Sequence, residues 1–138
     1  MKATVRVQSF DGTRFRDHAV RTATGALDVR PEATETCQYY AFFSGTADYV
    51  REAALWKLLV EGSKAAFPKA GLFPGVQMRF ICLQQAGRIE QAKAEALAYY
   101  RSMAEKTGTL WEHDAPSASC CHAFATGFVR LFADEIRE

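Results

Sequence analysis

Residues 109–115 read TLWEHDA and place Trp111, Glu112, His113 and Asp114 side by side where a long helical pattern stops. An irregular segment at the rim of a cleft lets neighbouring side chains converge, which a regular helix or strand does not. A carboxylate there can take a proton from water, and an aromatic ring can stack on the C–H face of a sugar. A second reading is available: Glu112 and Asp114 are then loop charges favoured by the dipole of the helix that follows. Glu35 stands at the mouth of another predicted helix, with Gln38 and Tyr39 one turn inside. An acid, an amide and a phenol suit sugar hydroxyls, although Glu in a first helical turn is also a plain stabilising choice. His122 lies on an apolar segment, where a lone His serves either as a core residue or as a pocket residue.

Other chemistries lose their usual supports. Cys121 and His122 are consecutive, and consecutive helical residues point in different directions, so they form no thiolate–base pair. Cys37, Cys82, Cys120 and Cys121 match no zinc spacing and read as reduced core thiols. A metal module of His113, Asp114, His122 and cysteines needs a ligand geometry that the spacing does not suggest, and no cofactor motif is present. Nucleotide, zinc-peptidase and serine-hydrolase signatures do not occur. With 17 basic and 16 acidic residues, the net charge of +1 offers no field for a phosphate backbone, so nucleic acid is not an expected partner. No apolar run approaches a membrane span and no export signal is seen, which gives a cytoplasmic expectation if the chain is complete.

The elements that must position these residues follow from pattern. The 138 residues are 49% hydrophobic and 24% charged, as expected for one globular domain with a core. Residues 1–30 alternate, as in Ala3, Val5 and Val7 against Thr4 and Arg6, with turns at Asp11-Gly12 and Thr24-Gly25; they predict a short β-hairpin region. Residues 31–138 read as helical. One helix is capped by Thr34 and stopped near Gly45, and a second runs from an Asp48 cap toward Gly62. FPKAGLFPGVQM is expected to be largely irregular, with Val76–Leu83 opening a helix or a short strand. A long amphipathic helix spans about Arg88 to Lys106 and ends at Gly108; a last helix starts near Ser117 and runs through Cys121, Phe128 and Ile136. The expectation is a mainly α chain of four to five helices, inner ones apolar and outer ones amphipathic.

Taken together, TETCQYYAFFSGTADYVREAALW, the long helix after it and GTLWEHDAPSASCCHAFATGF resemble the C-terminal part of the catalytic domain of six-hairpin glycosidases, bacterial α-L-rhamnosidase type. The resemblance covers roughly residues 30–135, and its most specific piece is T-x-W-E followed by a small-residue helix containing His. It implies part of an (α/α)6 barrel, carbohydrate as substrate, and inversion at the anomeric centre. It assigns the general base to Glu112, sets Trp111 beside the sugar subsite, and brings His122 to the same pocket more weakly. Glu35, Gln38 and Tyr39 match only a pocket-facing region.

An inverting glycosidase also needs a general acid roughly 6.5–9.5 Å from the base. The family carries that acid on an earlier hairpin, so it maps to no residue here, with Asp114 and Glu35 as the only local substitutes. Twelve barrel helices need on the order of 300 residues. The chain is therefore expected to be a fragment, incomplete or inactive alone, whose apolar helix faces are covered by self-association or by the missing barrel half. The rival expectation is a non-catalytic helical domain that binds carbohydrate or oligomerises.

Overall fold

A computed structural model describes residues 6, 8–62, 66–71, 73–113, 115 and 119–133. The chain is mainly helical, with a two-stranded antiparallel hairpin, and folds as two compact units, Met1–Lys69 and Ala70–Glu138. The division falls at Lys69, beyond the switch from alternating to helical pattern at Pro31.

In the first unit, β1 (Ala19–Arg21) pairs with β2 (Leu27–Val29), Ala19 opposite Val29 and Arg21 opposite Leu27. The connection closes where Gly25, at φ 85°, donates to the Thr22 carbonyl at 2.9 Å. That backbone angle is open to glycine and strained for other residues. The Asp11-Gly12 turn also forms, because Asp11 Oδ1 accepts from the Thr13 and Arg14 amides, both at 2.9 Å. The preceding residues differ from the expected strand. Arg6, Gln8 and Ser9 are helical, and Phe10 N–H donates to the Arg6 carbonyl at 2.9 Å. The turn lets the Arg6 guanidinium lie 4.8 Å from the Phe10 ring centroid while it reaches Glu52 at 2.8 Å.

Helix α1 (Glu35–Phe43) starts as expected, with Thr34 Oγ1 accepting from Cys37 N–H at 3.3 Å. Helix α2 (Ala53–Glu61) starts five residues after the expected cap. Asp48 caps a turn instead, accepting from the Val50 and Arg51 amides at 2.9 Å each. Glu52 then folds back to accept from Asp48 N–H at 2.7 Å. The turn places Tyr49 against Phe42 and Trp56, with ring centroids 4.9 Å from each.

In the second unit, α3 (Phe73–Gln85) and α4 (Ile89–Thr107) form a helical hairpin through a three-residue link closed by Arg88 N–H to the Leu83 carbonyl at 2.8 Å. The helix reading of the Val76 region is the one that holds, and α3 absorbs Pro74 in its first turn, where a missing N–H does no harm. Ala92, Ala96, Tyr100 and Met103 make the buried stripe of α4, as their spacing predicts. Gly108, at φ 72°, ends the helix.

The last helix departs from expectation. It is a 3-10 helix, Ala123–Phe132, and His122 before it is extended. His122 N–H is committed to the Leu110 carbonyl at 2.9 Å, which holds the chain out of helix until Ala123. The proposed start at Ser117 and end at Ile136 lie outside the described residues. Phe128 stacks on Tyr100 at 4.3 Å and seats the 3-10 helix on α4.

Candidate functional site

The loop after α4 is closed by a backbone clip. Leu110 accepts from His122 N–H at 2.9 Å, and Glu112 N–H donates to the Ser119 carbonyl at 3.0 Å. Thr109 Oγ1 donates to the Cys120 carbonyl between them. Residues 109–112 and 119–122 therefore lie side by side, and a loop that lacks regular structure still has its backbone groups paired.

Within the clip, Trp111 and Glu112 face different surroundings. The Trp111 ring is buried, at 8% exposure. Its Nε1 donates to Thr107 Oγ1 at 2.8 Å, and Lys106 Nζ lies 5.4 Å from the ring centroid. The indole thus packs against the end of α4, and little of its face is left for a sugar. Glu112 is partly exposed, with its amide tied back to Ser119. His113 Nδ1 accepts from Ala115 N–H at 3.2 Å, which leaves its Nε2 to carry the proton of the neutral ring. His122 is half-buried, with its ring 5.8 Å from Phe124. Asp114 lies outside the described residues.

The other candidates belong to the first unit. Gln38 is fully buried, and its amide spans Phe15: Oε1 accepts from Phe15 N–H at 2.8 Å, and Nε2 donates to the Phe15 carbonyl at 2.8 Å. A third bond runs from Nε2 to the Thr34 carbonyl at 3.0 Å. Tyr39 is also fully buried. The expected polar platform at Gln38 and Tyr39 is thus corrected: both are core residues, and Gln38 is a structural staple with no amide surface left for a ligand. Glu35 is buried at 7% exposure, with its amide donating to the Pro68 carbonyl at 3.2 Å.

Cysteine behaviour also differs from expectation. Cys82 is fully buried, and Cys37 is half-buried with Sγ 3.5 Å from the Arg16 carbonyl. Burial, reinforced by the neighbouring Asp17 carboxylate, pushes the Cys37 thiol up to about 12. Cys120 and Cys121, expected in the core, are exposed, because the clip holds them outside the helix that would have buried them.

Carboxylates of the second unit divide by partner. Glu95 accepts from Arg79 Nε at 2.6 Å and Nη2 at 2.8 Å, and from Gln91 at 2.8 Å. Burial alone would raise its pKa; the Arg79 and Gln91 bonds outweigh burial and hold the carboxyl below its ordinary range. Glu95 is therefore fixed as an anion and is no proton donor. Glu112 is the carboxylate that the clip presents.

Sequence reasoning missed Thr107 and Thr109, the hydroxyls that fasten the loop. Their spacing around a helix-ending glycine was the available signal. It also missed a cleft of about 400 Å³ in the first unit, floored by Phe15, Ala19, Leu27, Val29 and Tyr40. Ala19, Leu27 and Val29 share one face of the hairpin, which the alternation carries once the register is known. Among the described residues no helix is long and apolar enough to cross a membrane. No family model, curated protein or solved structure matches the chain.

Proposed function

We propose that the second unit carries the water-activating side of an inverting glycoside hydrolase site, α-L-rhamnosidase type, with Glu112 as the general base. The observation that supports this reading is the combination at one position of a T-x-W-E segment, a backbone pinned on both strands of the clip, and a carboxylate left partly exposed. A general base must be positioned and must reach water; the Glu112 backbone is tied to Ser119 and the residue is partly exposed. Its carboxylate takes a proton from a water as that water attacks the anomeric carbon from the face opposite the leaving group. A second carboxyl must protonate the departing oxygen. Glu95 does not serve, because a group held ionised has no proton to give.

The test uses an activated sugar, α-L-rhamnosyl fluoride, whose leaving group needs little help from an acid and so isolates the base step. Turnover should give the inverted anomer and fall by roughly 10²–10⁴-fold in Glu112→Gln. Equal rates in the two proteins, a retained anomer, or a wild-type rate no faster than spontaneous hydrolysis would each count against the assignment.

A second reading, a non-catalytic helical domain that associates through apolar faces, is favoured by one observation. Tyr40 and Phe43 stand exposed on α1, both at 44%. In this reading the protein sediments as a dimer or larger, and changing both residues to Ser returns it to a monomer; a wild-type monomer at high concentration removes the reading.

A further inference from the structure

We propose that Cys120 and Cys121 form a reversible thiol-modification site that closes to a disulfide between adjacent residues and, in closing, opens the backbone clip that holds Glu112. Cysteine is among the most buried residue types, so two neighbouring exposed thiols are unusual. The molecule sorts its thiols sharply. Cys82 is sealed in the core, and Cys37 is held as an unreactive thiol beside the Phe15 and Arg16 carbonyls. Cys120 and Cys121 are the pair open to solvent, and they sit between the two backbone bonds of the clip.

The chemistry balances with a small-molecule disulfide as oxidant. One cysteine thiolate attacks it, forms a mixed disulfide and releases one thiol. The neighbouring thiolate then attacks the protein sulfur of that mixed disulfide and releases the second thiol. Two protein S–H groups become one S–S bond, the oxidant is reduced to two thiols, and the protons leave with them. Adjacency makes the second step intramolecular, so the mixed disulfide does not accumulate.

Coupling to the loop follows from geometry. Consecutive Cα atoms lie about 3.8 Å apart, short of the roughly 4.4 Å at which unstrained disulfides begin. Closure must therefore distort the peptide between Cys120 and Cys121. The Cys120 carbonyl, which accepts from Thr109 Oγ1, belongs to that peptide, and His122 N–H, which donates to Leu110, follows one residue later. Strain also makes the bond readily reducible, so the site resets when thiols are in excess. The thiol chemistry stands independently of the proposed base; its bearing on catalysis rests on the role of Glu112.

The experiment treats the whole chain with 2-hydroxyethyl disulfide and reads intact mass, peptide mapping and amide hydrogen exchange. The wild type should become two hydrogens lighter without an adduct, with the crosslink mapped to Cys120–Cys121. Cys120→Ser and Cys121→Ser should each retain one mixed-disulfide adduct. The Glu112 and His122 amides should exchange at least about tenfold faster in the oxidised wild type, and recover after reduction. A persistent adduct on the wild type, or reaction at Cys37 and Cys82 as fast as at the pair, would overturn the site. A closed ring with unchanged exchange at Glu112 and His122 would overturn the coupling, whatever the result with rhamnosyl fluoride.

Discussion

Gln38 grips the main chain of Phe15 in both directions, accepting from its N–H and donating to its carbonyl, each at 2.8 Å. A side-chain amide here does the work of a neighbouring strand. It satisfies the two buried backbone groups of Phe15 that face away from its antiparallel bridge to Phe10. Gln38→Leu keeps the volume but leaves the Phe15 N–H unpaired and its carbonyl with only the Cys37 thiol at 3.9 Å, and should cost about 2–4 kcal/mol in urea unfolding followed by tryptophan fluorescence. Gln38→Glu should be worse at neutral pH than at acid pH, since only the protonated acid can donate to the carbonyls. A loss below about 0.5 kcal/mol for Gln38→Leu would mean that water replaces the amide there.

Glu52 gives the first unit a defined acid sensitivity. Burial raises its pKa, but Arg51 at 2.7 Å, Asp48 N–H at 2.7 Å and Arg6 at 2.8 Å outweigh burial and bring the carboxyl down to about 2. The folded value lies below the unfolded one of 4.5. The stabilisation is therefore present above about pH 4.5 and is lost as pH falls through about 2. Glu52→Gln should be less stable at pH 7 and lose less on acidification across that window. Parallel acid profiles for the two proteins would show that other carboxylates dominate.

The legible parts of this chain are those set by local chemistry. The Thr34 cap, the turns at Gly12 and Gly25, and the buried stripe Ala92, Ala96, Tyr100 and Met103 follow from residue type and spacing. What could not be read depends on partners distant in sequence. Arg6 is drawn into a helical turn by Glu52, 46 residues away. Likewise, the last helix yields at its start to a bond between His122 and Leu110. Gln38 and Tyr39 look like a sugar platform in a list of residue types, and only the crossing of Phe15 over α1 turns them into core. Polar residues near a helix mouth have this ambiguity in general, because the same hydrogen-bonding groups serve ligand and backbone alike.

Gly127 and Gln77 form a second long-range pair. Gln77 Nε2 donates to the Phe124 carbonyl at 2.6 Å, and a Cβ placed on Gly127 would meet that amide at 2.8 Å. Gly127→Ala should displace Gln77 and cost about 1–2 kcal/mol. In a Gln77→Ala background the same change should be neutral or slightly stabilising, because alanine favours helix over glycine. Additive effects in this double-mutant cycle would mean that the amide swings aside without loss.

Trp111 separates a packing role from a ligand-facing one. Its ring is buried against Lys106, and its N–H is bonded to Thr107. Trp111→Phe keeps most of the apolar contact and loses the hydrogen bond, so it should cost about 1 kcal/mol of stability. Trp111→Ala removes the ring as well, should cost about 3–5 kcal/mol, and should unfasten the loop that presents Glu112. In the packing role, turnover of rhamnosyl fluoride tracks loop order, so Trp111→Phe retains most of it and Trp111→Ala does not. A sugar-stacking role gives the opposite signature: Trp111→Ala would weaken sugar binding with stability unchanged. Thermal unfolding and sugar titration of these two variants decide between the roles, and the buried N–H to Thr107 predicts that stability moves first.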